Sequence, residues 1–131
     1  MNNKKQQNIQ SEKTLTEIFK YNAGGEASEY HIIIHSTKPE DTYEEQLHAV
    51  LNTYDYLLTQ ELKGAVAILK RYFLSDAANQ ADTLLALTTE GSDCALSIVE
   101  QPPLDGTKIA LWIYLLTDVQ TQALHNGLFE V

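Results

Sequence analysis

Cysteine is almost absent from this chain of 131 residues, which carries a single thiol at Cys94. One cysteine cannot form an internal disulfide, and it cannot supply the cysteine pair of a zinc site. Long apolar runs are missing too: the run Ile109–Leu116 is far too short to cross a bilayer, and the N-terminus is polar where a secretory signal needs an apolar stretch. The sequence therefore predicts a cytoplasmic protein with no metal site and no membrane partner.

Basic residues are also scarce, because nine Lys and Arg stand against eighteen Asp and Glu, giving a net charge of −9. A charge of this sign repels phosphate backbones. The basic pairs Lys4-Lys5 and Lys70-Arg71 are not interleaved with the aromatic residues on which single strands stack. The composition predicts no nucleic-acid partner, and no pattern in the chain indicates a cofactor.

Hydrophobic residues make up 44% of the chain and charged residues 21%, as in globular proteins, and the length suits one domain. Residues 1–13 are rich in Asn, Gln and Lys, which predicts a flexible N-terminal arm. Residues 14–116 carry the patterns of a folded domain. In the tail, residues 117–131, an apolar alternation begins at Leu128. We expect this tail either to dock on the domain or to begin a further segment, such as a tandem copy of the domain.

Two helices are indicated inside the domain. The capping box Thr42–Glu45 begins the first, whose apolar residues recur at steps of three and four and form one stripe. The second follows Ser75 or Asp76, either of which suits an N-cap. Runs of β-branched and apolar residues predict five strands. These strands are Thr14–Tyr21, Tyr30–His35, Ala65–Leu74, Cys94–Glu100 and Lys108–Leu116.

The order β-β-α-β-α-β-β predicts an α/β (α+β) fold in which two helices pack on one face of a mixed sheet. The last three strands are apolar on both of their faces, yet two helices cover only one side of a sheet. A closed oligomer, in which identical sheets pack around a common axis, covers the other side without a longer chain.

Several runs resemble the RidA/YjgF family, which is also labelled L-PSP endoribonuclease-like or reactive intermediate deaminase. The resemblance lies in Val66–Asp76, Cys94–Glu100 and Lys108–Ala110, and Gln46 and Leu51 match the family's first helix. It spans residues 14–116. The resemblance implies a chorismate-mutase-like fold and a homotrimer, or a pseudo-trimer of tandem domains, with small-metabolite pockets between subunits.

The family's site is altered at its central position. Its strand Ala-Arg-Ser-x-Val-Glu carries an arginine that holds the substrate carboxylate bidentately, and here that position is Leu96. Where the family often has a glutamate that positions water, this chain has Ala110. By resemblance, the pocket residues are His35, Ser36, Leu96, Ile98 and Ala110. No catalytic residue is assigned.

Two functions remain open. The first is a non-deaminating module that binds a small metabolite or only builds a trimer. The alternative is a hydrolase or deaminase acting on an imine or carbonyl metabolite, with Lys70, Arg71 or His35 supplying the missing charge. Ribonuclease activity is disfavoured by the net charge of −9.

Two further pairs of residues are candidates for other functions, because the members of each pair lie on the same face of a strand. His31 and His35 lie on one face of their strand, but no third ligand accompanies them at a metal-binding spacing, so a hydrogen-bonded or exposed pair is the favoured interpretation. Trp112 and Tyr114 share a face of the last strand, where a core or interface role is expected.

Overall fold

The computed structural model describes residues 5–22, 28–88, 94–103 and 105–117, which form one mixed sheet and two α-helices. In chain order the elements are β1 (Lys5–Gln10), β2 (Thr14–Asn22), β3 (Ser28–Ser36), α1 (Tyr43–Tyr56), one turn of π-helix (Leu57–Glu61), β4 (Ala65–Leu74), α2 (Ala77–Thr88), β5 (Ala95–Glu100) and β6 (Ile109–Thr117). The predicted α+β class is confirmed, and the five predicted strands and two helices occur in the predicted order.

The sheet has six strands in the order β1-β2-β3-β6-β4-β5. Neighbouring strands run antiparallel except β4 and β5, which are parallel and are joined through α2. The last strand, β6, lies in the middle between β3 and β4. Chain segments that are far apart in sequence therefore meet along β6.

Helix α1 begins where the capping box predicted. The hydroxyl of Thr42 accepts a hydrogen bond from Glu45 N at 3.1 Å, and the Glu45 carboxylate accepts one from Thr42 N at 2.9 Å. These reciprocal bonds satisfy two backbone donors that a helix start leaves unpaired. Beyond the π-helical turn the chain reverses at Gly64, whose φ of 87° suits a residue without a Cβ.

One face of the sheet, here called the helix face, packs against α1 and α2 and holds the core. It consists of alternate residues of the central strands, such as Ile32 and Ile34 of β3 and Tyr72 and Leu74 of β4, all of them fully buried. Leu47, Val50 and Leu84 cover them from the two helices. The alternate apolar residues of the strands and the apolar stripes of the helices thus pack together in a single core.

The opposite face, here called the open face, is formed by the other set of alternate residues. Among them are Phe19, Ile33, Phe73 and Trp112, which are only half-buried. Within the described residues, both helices pack on the helix face, and the open face carries no second layer. The described residues therefore leave the open face uncovered, as the sequence pattern predicted for a single chain with two helices.

The N-terminal segment differs from the predicted flexible arm. Lys5–Gln10 form β1, which pairs antiparallel with β2 so that Ile9 lies opposite Thr16 and packs against the core. Composition predicts disorder when little apolar surface is available to bury, but an edge strand is also held by backbone hydrogen bonds to its neighbour, and these need no apolar side chains. Residues 1–4 and 118–131, the latter including most of the predicted tail, lie outside the described part of the chain.

Candidate functional site

A histidine flanked by two carboxylates lies near one end of the open face. His35 Nδ1 is 3.1 Å from Asp105 Oδ2, and His35 Nε2 is 3.6 Å from Glu17 Oε1. The His35 side chain is 20% exposed. Its two ring nitrogens therefore face carboxylates from different elements, which fixes the plane of the ring.

The antiparallel sheet brings Glu17 to this point. Glu17 on β2 lies opposite Ile33 on β3, and His35 is the next residue of β3 on the same face. Asp105 comes from the loop between β5 and β6, where Gly106 turns the chain with a φ of 81°. Three segments thus converge on one imidazole.

The Asp105 carboxylate is held in place by its own loop. Its Oδ1 accepts hydrogen bonds from Thr107 N at 3.1 Å and from Thr107 Oγ1 at 2.6 Å. Partial burial raises the pKa of Asp105, but the hydrogen bonds from Thr107 and His35 outweigh it, so the pKa lies below its usual value. The carboxylate is therefore ionised at neutral pH, and it orients His35.

These residues line a depression of about 410 Å³, here called the His35 cleft. Ile33, Phe73 and Ala110 form its apolar part, and Glu17 and Asp105 give it negative charge. Gln101, Pro102 and Pro103 form the rest of the lining. Among the described residues no arginine or lysine lines the cleft, so these residues offer no cation to a bound carboxylate.

Of the five pocket residues predicted by resemblance, the structure brings His35 and Ala110 together. They lie opposite one another on β3 and β6, and both line the His35 cleft. Ser36 is the next residue of β3 and therefore points to the helix face, where it is 2% exposed. Its hydroxyl accepts a hydrogen bond from Lys38 N at 2.9 Å, so it stabilises the turn before α1.

The remaining two predicted pocket residues lie on the other side of the sheet. Leu96 is aligned with Lys70 and Ile98 with Tyr72, and these β4 residues point to the helix face. Ile98 packs against the core, and Leu96 is 37% exposed at the sheet edge. Because successive residues of a strand point to opposite faces, neither can reach the His35 cleft of its own chain.

Two other basic residues were candidates to supply the missing charge. Lys70 is on the helix face, 7% exposed, with its Nζ 5.2 Å from the centroid of the Tyr54 ring. Arg71 is on the open face, with its guanidinium carbon 5.6 Å from the Trp112 ring centroid. Its Nε donates a hydrogen bond to Ser97 Oγ at 3.3 Å. Arg71 therefore presents its charge to the open face, whereas Lys70 is covered by α1.

His31 and His35 share the open face, as predicted, but they have different surroundings. The His31 ring lies among three aromatic rings, with centroid distances of 5.6 Å to Tyr21, 5.7 Å to Trp112 and 5.0 Å to Tyr114. Within the described ranges, no group of three or more His, Cys, Asp or Glu side chains is arranged to hold a metal ion. His31 is therefore part of an aromatic cluster, in which Trp112 and Tyr114 share a face as predicted.

Sequence reasoning missed Glu17, Phe73 and Asp105 as cleft residues. Asp105 was visible only as part of a turn, and no signal in the chain gave its distance from His35. Glu17 and Phe73 reach the cleft through strand pairing, since β2 pairs with β3 and β4 pairs with β6. Which residues lie opposite one another depends on which strands are neighbours in the sheet, and local sequence patterns do not specify the neighbours.

Comparisons with known proteins agree with the fold. No protein-family model and no curated protein matches the chain. A solved structure from Salmonella typhimurium, described as a "putative translation initiation inhibitor", superposes with a TM-score of 0.60 at 19% sequence identity, covering 83% of this chain and 95% of that one. That description is a name of the RidA/YjgF family. At this identity the likeness shows the fold alone, and the chain therefore has a RidA/YjgF-like fold.

One further observation concerns membranes. None of the helices in the described ranges is both long and apolar enough to span a bilayer.

Proposed function

We propose that this chain is a non-deaminating RidA/YjgF-like binding module. It assembles as a homotrimer through the open face of its sheet, and it binds a small metabolite in the His35 cleft where subunits meet. The observation that carries the proposal is the open face itself, which holds large apolar and aromatic side chains without a covering layer among the described residues.

The chemistry of the open face favours association. Phe19, Ile33, Phe73 and Trp112 are half-buried within one subunit, so a large part of their apolar surface remains in contact with water. Burying apolar surface contributes about 25 cal/mol per Å², and contiguous apolar patches of this kind are typical of interfaces. A closed ring of three identical faces buries them all, and it leaves the helices outside.

The His35 cleft favours a neutral or cationic ligand over a carboxylate. Glu17 and Asp105 both line it, and Asp105 is ionised at neutral pH because its pKa is lowered. A 2-iminoacid brings its own carboxylate, which these side chains repel. The family's arginine position is occupied by Leu96, which lies on the opposite face of the sheet. Within one subunit, the described residues of the cleft therefore supply no cation for the carboxylate of the family's substrate.

The deaminase assay tests the catalytic half of this proposal. 2-Iminoacids are generated from amino acids by an oxidase, and semicarbazide traps those that are not hydrolysed. We expect the full chain to leave semicarbazone formation unchanged from the enzyme-free control. A decrease like that produced by an active family member would contradict the proposal.

Titration with simple probes tests the binding half. Benzylammonium and benzoate have similar size and opposite charge, so they separate charge preference from shape. We expect benzylammonium to shift the NMR signals of the His35 ring and the Ala110 methyl, and benzoate to leave them unchanged. Equal binding of both, or stronger binding of benzoate, would contradict the proposed ligand class.

A second candidate function rests on Arg71. Its guanidinium faces the open surface and donates from Nε to Ser97. Its two terminal nitrogens have no hydrogen-bond partner among the described residues, and they can bind a carboxylate across a subunit boundary. On this alternative the module is a hydrolase or deaminase for an imine or carbonyl metabolite. Turnover in the semicarbazide assay that is lost in Arg71→Ala and retained in Arg71→Lys would favour it over the binding module.

A further inference from the structure

A second cavity lies on the helix face, on the other side of the sheet from the His35 cleft. It has a volume of about 460 Å³ and is bounded by α1, by β1 and β2, and by the turn between these strands. Its apolar lining includes Ile9, Ala49 and Leu57. We call it the Thr14 pocket, and its volume lies in the range of small-molecule sites.

Three hydroxyl groups form a chain along its lining. Ser11 Oγ is 2.6 Å from Thr14 Oγ1, which is 2.7 Å from Thr53 Oγ1. Ser11 Oγ also accepts a hydrogen bond from Thr14 N at 3.1 Å. Each hydroxyl has one hydrogen to donate, and the two hydrogen bonds between the hydroxyls use two of the three hydrogens. One hydroxyl hydrogen therefore remains without an acceptor in this chain of hydroxyls.

When that remaining hydrogen belongs to Ser11, the described residues offer it only a poor acceptor. The Thr14 carbonyl is 3.4 Å from Ser11 Oγ, which is long for a bond donated by a hydroxyl. If the chain of hydroxyls runs the other way, the hydrogen of Thr53 is the one left over. In either direction, a hydroxyl at one end of the chain is available to donate to a ligand.

Thr16 gives independent evidence that a polar group in the lining of this pocket lacks a hydrogen-bond partner among the described residues. It is 1% exposed, it lines the same pocket, and its Oγ1 is buried without a hydrogen-bond partner within the described ranges. Buried hydroxyl groups without partners are uncommon in native proteins. The charged lining residues, Glu12 and Lys13, are both exposed and so lie at the rim.

We propose that the Thr14 pocket binds a neutral small molecule with an apolar body and one acceptor oxygen, such as a ketone or amide carbonyl. The body packs against Ile9, Ala49 and Leu57, and the oxygen accepts the remaining hydrogen of Ser11 or Thr53. A carboxylate has no buried counter-charge in this pocket, and a hydrocarbon leaves the hydroxyl unpaired. The site is separate from the His35 cleft and does not depend on it.

The test is an NMR titration of the full chain with acetophenone, compared with ethylbenzene, benzoate and benzylammonium. Acetophenone should produce saturable shifts at Thr14, Ala49 and Leu57. Ethylbenzene, which has almost the same shape without the oxygen, should bind about fivefold more weakly. Benzoate and benzylammonium should not shift these signals. Shifts that benzylammonium causes at His35 report on the cleft, so the two proposals fail separately.

Variants connect the binding to the hydroxyl chain. Combining Ser11→Ala, Thr14→Val and Thr53→Val removes all three hydroxyls and should weaken acetophenone binding about fivefold. Ala49→Leu should abolish binding by filling the pocket. Thr88→Val removes a buried hydroxyl in α2 outside the pocket and should leave affinity unchanged. If the triple variant does not fold, the comparison of acetophenone with ethylbenzene on the unmodified chain carries the test.

Three results would overturn the proposal. They are the absence of saturable acetophenone shifts in the pocket, equal affinity for ethylbenzene, and unchanged affinity in the variants that lack the hydroxyls.

Discussion

The side chain of Gln46 accepts a hydrogen bond from the backbone of Lys108: Oε1 is 2.8 Å from Lys108 N. The same amide donates from Nε2 to the carbonyls of Asp41 at 2.9 Å and Lys38 at 3.2 Å. Gln46 is fully buried. One side chain thus joins the turn before α1 to the residue that precedes β6, at the end of the sheet where the His35 cleft lies.

Gln46→Leu should destabilise the fold by about 2 kcal/mol, because it leaves the Lys108 N–H without its partner, whereas the Asp41 carbonyl still accepts from Lys108 Nζ at 3.0 Å. Chemical denaturation monitored by circular dichroism measures the effect. Gln60→Leu, at an exposed position of the π-helical turn, is the control and should change stability little. A loss below about 1 kcal/mol for Gln46→Leu would show that water replaces these bonds.

Two tyrosines, the buried Tyr72 and the partly buried Tyr43, should respond in opposite ways to the loss of the hydroxyl. Tyr72 Oη is buried and has no hydrogen-bond partner in the described part of the chain, and burial raises the pKa of this phenol. Tyr43 Oη donates to the Gln80 carbonyl at 3.0 Å. We expect Tyr72→Phe to be neutral or to stabilise by about 1 kcal/mol, and Tyr43→Phe to destabilise by about 1 kcal/mol.

Thermal unfolding of the two phenylalanine variants measures this difference, and each serves as the other's control. Equal losses in both would mean that Tyr72 has a partner when the chain is assembled.

Acidity should weaken the loop that carries Asp105. Its folded-state pKa lies below the usual value because hydrogen bonds from Thr107 and His35 outweigh the effect of burial. Its ionised form therefore contributes stability that is complete above roughly pH 4, the usual carboxyl pKa, and is lost as the pH falls through the folded-state value.

The stability difference between the wild type and Asp105→Asn should therefore be largest near neutrality and shrink below about pH 4. Denaturation series at several pH values measure it, with Asp82→Asn on the exposed side of α2 as the control. A difference that is independent of pH would contradict the assigned hydrogen bonds.

Restoring the family's charged residues should not restore the family's activity. Leu96 and Ala110 lie on opposite faces of the sheet, so Leu96→Arg with Ala110→Glu cannot build one pocket within a subunit. We expect no imine deaminase activity from the double variant. Leu96→Arg alone should change stability by less than about 0.5 kcal/mol, because the side chain is 37% exposed at the sheet edge. Measurable turnover by the double variant would mean that positions 96 and 110 meet across a subunit boundary.

Local patterns in the sequence predicted the fold well, because each pattern reflects an interaction between residues that are close in sequence, such as a helix cap or the burial of a strand. The capping box marked the start of α1, and the apolar run Ala65–Leu74 matched β4 at both ends. The pairing of β1 with β2 was missed, since a polar edge strand is held by backbone bonds that composition does not reveal.

The candidate site was only half predictable. His35 and Ala110 were identified through resemblance, and they do lie together. Glu17 and Asp105 depend on strand register and on a loop conformation, which are set by tertiary pairing. Leu96 and Ile98 were grouped with His35 because the resemblance assigns all three to the family's pocket, and a match to a motif does not tell which sheet face a residue shares with another element.

Sedimentation equilibrium of the full chain at micromolar concentration tests the central claim, that the open face builds a homotrimer. We expect three times the chain mass of 14.7 kDa for the wild type. Trp112→Glu, at the middle of the open face, should sediment as a single chain with unchanged circular dichroism. Leu87→Glu, at an exposed apolar position of α2, should stay trimeric. A wild-type mass of one chain, or a Trp112→Glu variant that remains trimeric, would contradict the claim.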